Sequence, residues 1–126
     1  MGKKMVKKIF IVDDDEMLSM ALEDYLTRKT LHEVRLFTTG EECIRHLREQ
    51  PDIIILDYNL NSIEKEAANG MKILEMIKKL NRDISIIVFS SQDAYSVALQ
   101  VINRGAAQYV IKDEKAFEKI TAICNS

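Results

Sequence analysis

Ile53-Ile54-Ile55-Leu56 is a continuous apolar run that stops at Asp57. A strand that is apolar on both faces must be covered on both faces, which marks a buried parallel strand. Ile84 to Phe89 reads as a second strand of this kind, ending at Ser90-Ser91. Parallel neighbours are joined by crossovers, usually helices packed on the sheet. The rest of the chain therefore has to alternate strand and helix.

It does. Lys8 to Val12 is a short β-branched run, ended by Asp13-Asp14-Asp15. From Glu16 the spacing turns helical, with Leu18, Ala21, Leu22, Tyr25 and Leu26 predicted on one face and Asp15 as the N-cap. Glu33 to Phe37 alternates and reads as a strand. Thr39 followed by Glu42 has capping-box spacing and opens a helix with Cys43, Ile44 and Leu47 inward. Gln50-Pro51 closes it. Tyr58 to Asn69 is polar and aperiodic, a long loop. Gly70 leads into a helix carrying Ile73, Leu74, Ile77 and Leu80. Ser91 is expected to cap a fourth helix with Ala94, Ala98, Val101 and Ile102 on one face, and Gly105 to end it. Ala106 to Ile111 is the fifth strand, and a last helix from about Glu114 carries Phe117, Ile120 and Cys124. Five βα units predict an α/β fold of the flavodoxin-like, doubly wound kind, a parallel sheet in the order 2-1-3-4-5.

At 126 residues the chain holds one domain, spanning 1–126, with its core at 8–124 and a basic lead-in at 1–7. Its 18 Lys+Arg against 20 Asp+Glu leave a formal charge of −2, which gives no electrostatic case for nucleic acid as the main ligand. No apolar run approaches a membrane span, and the apolar run after the lysines is too short for a secretory signal. The expectation is a cytoplasmic protein with no membrane partner, in which Cys43 and Cys124 are reduced core thiols. The methionines are expected as core filler, and His32 and His46 as surface residues.

In a doubly wound sheet, ligands bind beyond the carboxyl ends of the strands, at the point where strand order reverses. Asp13 and Asp14 end strand 1 and Asp57 ends strand 3, so three carboxylates should converge between neighbouring strands. Ser90 ends strand 4 and Lys112 ends strand 5. Converging carboxylates repel unless a cation neutralises them. Mg²⁺ prefers oxygen ligands and leaves room for a phosphate oxygen. Carboxylates, metal, lysine and hydroxyl around one gap suit a phosphoryl group, with a carboxylate able to serve as nucleophile.

These motifs, taken in order along Lys8 to Cys124, resemble the receiver domain of bacterial two-component response regulators. The carrying residues are Ile11-Val12-Asp13-Asp14-Asp15, Leu56-Asp57, Phe89-Ser90-Ser91 and the run Gly105 to Lys112. The resemblance implies that Asp57 accepts a phosphoryl group from a sensor histidine kinase or phosphotransfer protein. It implies Mg²⁺ held by Asp14, Asp57 and the backbone carbonyl of Asn59, with Asp13 acting through water. Lys112 would bridge to the phosphoryl oxygens. Ser90 would turn toward them, and Tyr109 would swing into the space it leaves. Asn59 and Gln92 would tune hydrolysis of the phosphoryl group. The face of helix 4, strand 5 and helix 5 would signal to an output domain or partner protein that the sequence leaves unnamed.

The chain departs from the family pattern in two places. No proline follows Asp57, and Gly70 comes late, so 61–69 reads as an insertion beside the site. Asp113 stands where the family usually has proline after the strand-5 lysine, and a trans bond is expected there. Two other readings remain at this stage. One is a haloacid-dehalogenase-type phosphatase, in which Asp13-x-Asp15 supplies the first motif. The other is a receiver-like binding module that is never phosphorylated.

Overall fold

The computed structural model describes residues 5–60 and 69–126; the lead-in 1–4 and the segment 61–68 of the insertion lie outside the described residues. Five strands and five helices alternate: β1 (Lys8–Val12), α1 (Glu16–Lys29), β2 (Glu33–Phe37), α2 (Gly40–Arg45), β3 (Ile53–Asp57), α3 (Gly70–Leu80), β4 (Ser85–Ser90), α4 (Tyr95–Asn103), β5 (Gln108–Ile111) and α5 (Ala116–Cys124). A short 3-10 turn, Leu47–Glu49, follows α2. The strands form one parallel sheet in the order β2-β1-β3-β4-β5. Order and class are those predicted.

All five residues of β3 are buried, as a strand between two helical layers requires. Alternate side chains feed two cores. Phe10, Val12, Ile54, Leu56, Ile86 and Val88 join Ile73, Leu74 and Ile77 of α3 on one face. Ile9, Ile11, Ile53, Ile55, Ile87 and Phe89 join Leu22 and Leu26 of α1 and Ile120 and Cys124 of α5 on the other. Among the described residues, no helix is long and apolar enough to cross a membrane.

Local signals hold where a side chain meets the backbone. Asp15 caps α1 by accepting from Leu18 N at 3.1 Å, and Thr39 caps α2 by accepting from Glu42 N. Gly105 follows α4 at φ +109°, a conformation that favours glycine. Cys43 and Cys124 are free and buried.

Several expectations need correcting. On α1, Ser19 rather than Ala21 is buried beside Leu22 and Leu26. Leu80 is exposed, because it lies on the last turn of α3, past the edge of the sheet. Met17 and Met20 point outward at 84% and 60% exposure, so they are not core filler. His32 is 7% exposed: its Nδ1 accepts from Lys7 N at 3.0 Å, and its Nε2 pairs with Asn125 Oδ1 at 2.9 Å, which ties the two ends of the chain. His46 is half-buried, stacked on Phe37. The fourth helix starts only after Ala94, with no side-chain cap, so Ser91 does not cap it.

Candidate phosphoryl-transfer site

The carboxyl ends of β1, β3, β4 and β5 bring the predicted residues together. Asp13, Asp14 and Asp57 each offer a carboxylate oxygen within 4.8 Å of the others. Asp13 and Asp57 are 3% exposed and Asp14 half-exposed. Lys112 Nζ donates to Asp57 Oδ1 at 3.0 Å and stands 3.5 Å from Asp13 Oδ2.

Burial, reinforced by the Asp57 charge, pushes the Asp13 carboxyl up to about 7, although the Asp15 amide and Lys112 pull it down. Burial would lower the Lys112 ammonium, but the charges of Asp57 and Asp13 and its hydrogen bonds to both outweigh that and raise it. Lys112 thus stays cationic between the carboxylates of Asp13 and Asp57. The cluster crowds three carboxylate oxygens together, a donor set that suits a hard divalent cation such as Mg²⁺.

Short backbone contacts hold the acids. Asp15 N donates to Asp13 Oδ1 at 2.9 Å, Asn59 N to Asp57 Oδ1 at 3.1 Å, and Tyr58 N to Phe89 O at 3.0 Å. Asn59 follows β3 on the same lip, its side-chain amide 3.5 Å from Ser91 Oγ. Ser91, expected as a cap, faces the site instead.

Ser90 is fully buried at the end of β4, and its Oγ accepts from Gln92 N at 3.0 Å. The Gln92 carbonyl in turn accepts from the Tyr109 hydroxyl. Tyr109 is half-buried on β5, so Ser90 and Tyr109 meet through one residue. The hydroxyl's claim on the Gln92 amide is a turn that competes with helix, which explains the late start of α4.

Lys112 is fixed from behind, its backbone N donating to Ser90 O at 2.7 Å. The bond to Asp113 is trans, as expected. Asp113 forms a turn ahead of α5: its Oδ1 accepts from Lys115 N at 3.0 Å and its carbonyl from Ala116 N, the first residue of α5.

Comparison with known proteins agrees with this geometry. The family model described as "Response regulator receiver domain" matches residues 9–124. The chain is 28% identical over 109 residues to the chemotaxis protein CheY of Thermotoga maritima, covering 86% of this chain and 87% of that protein. It is 31% identical to a protein-glutamate methylesterase/protein-glutamine glutaminase of Clostridium acetobutylicum, but spans only 32% of that protein's length. The structure superposes on the BeF3-activated DrrB receiver domain with a TM-score of 0.81 at 27% identity, over 95% of both chains.

Proposed function

The chain belongs to the response regulator receiver domain family, and from that premise we propose that it takes a phosphoryl group onto Asp57 from a sensor histidine kinase or phosphotransfer protein and passes the change to an output partner. The observation that carries the reading is the Lys112–Asp57 pair set among the acids of β1.

Both donors at Asp57 end on Oδ1, so attack is assigned to Oδ2. Oδ2 forms the new P–O bond as the P–N bond of the donor phosphohistidine breaks, and the electron pair leaves with the imidazole nitrogen. Asp14, Asp57 and the Asn59 carbonyl would hold Mg²⁺, with Asp13 reaching it through water. A bound Mg²⁺ would offset the charge that builds on the phosphoryl oxygens. Lys112 exchanges its carboxylate partner for a phosphoryl oxygen, keeping the added charge paired. Asn59 and Gln92, two residues past Asp57 and Ser90, are assigned to orienting the water that later hydrolyses the phosphoryl group.

By turning toward a phosphoryl oxygen, as the family resemblance implies, the Ser90 side chain would release the Gln92 amide. Gln92 also carries the Tyr109 hydroxyl, so the release reaches β5. Beyond it, α4 exposes Tyr95, Leu99 and Ile102 and buries only Val101. That lightly anchored surface, with β5 and α5, is the assigned output face.

The dehalogenase-type alternative leaves Asp57 without a role, although Asp57 makes the shortest contact to Lys112. Intact mass after incubation with Mg²⁺ and acetyl phosphate tests the reading. Wild type should gain one phosphoryl group and Asp57→Ala none. Gain by neither would leave a binding module that is never phosphorylated.

A further inference from the structure

We infer that Gly70 is a positioning residue for the phosphoacceptor: its missing side chain lets the start of α3 rest on the peptide between Asp57 and Tyr58. The inference rests on the reading of Asp57 above. A Cβ at Gly70 would stand 2.5 Å from Asp57 O, 2.8 Å from Tyr58 O and 2.9 Å from Tyr58 Cα. The obstacles are all backbone, so no rotamer change can make room.

Strain there falls on the acceptor. The backbone of the Asp57–Asn59 segment is also held by Tyr58 N on Phe89 O and Asn59 N on Asp57 Oδ1. Both lie within the same peptides that the new Cβ would push. On the other side, Ile73, Leu74 and Ile77 are fully buried and resist withdrawal of α3. Asn69 caps the helix by accepting from Lys72 N at 3.0 Å, fixing the turn that carries Gly70. Gly70 is separated from Asp57 in sequence by the inserted segment, yet it is in contact with it. The contact sets the acceptor's backbone directly, whatever the length of chain between.

Gly40 provides the control. A Cβ there would stand 2.2 Å from Ile73 Cγ1, so it crowds the same helix through a buried core side chain and not through the acceptor's backbone. The experiment compares wild type, Gly70→Ala and Gly40→Ala. It reads the amide shifts of residues 57–59 without metal, Mg²⁺ titrated alone by the same amides, and the initial rate with acetyl phosphate. Gly70→Ala should move the metal-free amides, raise the Mg²⁺ Kd at least about 5-fold and slow phosphorylation at least about 10-fold, since a displacement of about 1 Å can cost on the order of 100-fold. Gly40→Ala should stay near wild type in all three. Equal losses in both variants, or none in Gly70→Ala, would overturn the inference. Should Gly70→Ala fail to fold, Asn69→Ala carries the test: it loosens the same turn without adding an atom, and weaker Mg²⁺ binding than in Gly40→Ala is required. If wild type neither binds Mg²⁺ nor gains phosphate, the reading of Asp57 fails, while the metal-free amide shifts still decide whether Gly70 positions it.

Discussion

Lys112 reaches across the end of β4 to place its Nζ 3.0 Å from Asp57 Oδ1. The two residues come from strands that are not neighbours, and both side chains are largely buried, at 18% and 3% exposure. The pair therefore bears on stability as well as on the proposed chemistry.

Lys112→Ala removes the cation paired with Asp13 and Asp57 and leaves two buried carboxylates facing each other. Metal-free, the variant should lose about 1–3 kcal/mol of stability, less than the roughly 3–5 kcal/mol for breaking a fully buried pair because Lys112 is partly wet. Phosphorylation should slow by about 10- to 100-fold. Urea unfolding in EDTA and the initial rate with acetyl phosphate check the two effects. An unchanged rate would remove Lys112 from the chemistry.

Asp13 predicts a pH dependence. Its carboxyl is pushed up to about 7 by burial first and by the Asp57 charge second. The folded state therefore holds a proton that the unfolded state has already released. This group's contribution to stability is full below about pH 4 and is lost as pH rises through about 7. In EDTA, thermal stability of wild type relative to Asp13→Asn should fall across that window. A difference that rises with pH would contradict the assignment.

Burial pushes the Cys43 thiol up to about 12 and the Cys124 thiol up to about 11, the latter slightly offset by Lys7. At pH 8 almost no thiolate is present at either. A disulfide reagent should be inert toward the folded protein and titrate both thiols in denaturant. Rapid reaction of the folded protein would mean that one of the cores opens.

Tyr109→Phe deletes the hydroxyl that binds the Gln92 carbonyl. Stability should drop by no more than about 1 kcal/mol, because the bond is near solvent. Amide exchange in residues 91–95 should accelerate, and exchange in β3 should not. Unaltered exchange after β4 would break the proposed link from Ser90 to the output face.

The site was readable in sequence because each of its residues follows an apolar run. The apolar runs stop at Val12, Leu56 and Phe89, and the sheet carries Asp13, Asp57 and Ser90, the next residues, to one edge. The misreadings fall where tertiary contact overrides local pattern. Ala21 has the right spacing for the core, but Ser19 occupies it. His32 looks polar and exposed, yet it is buried by contacts to Lys7 and Asn125, far away in sequence. Ser91 has cap chemistry but no helix to cap, because α4 starts only after Ala94. Gly70 looks only like a late glycine, since close approach to Asp57 leaves no trace in composition or spacing.

The central claim is that Asp57 carries the phosphoryl group. Borohydride reduction after incubation with Mg²⁺ and acetyl phosphate converts an acyl phosphate to the alcohol, and peptide mapping locates it. The account predicts homoserine at position 57 and unmodified Asp13 and Asp14. Homoserine at position 13 or 14, with Asp57 intact, would contradict it.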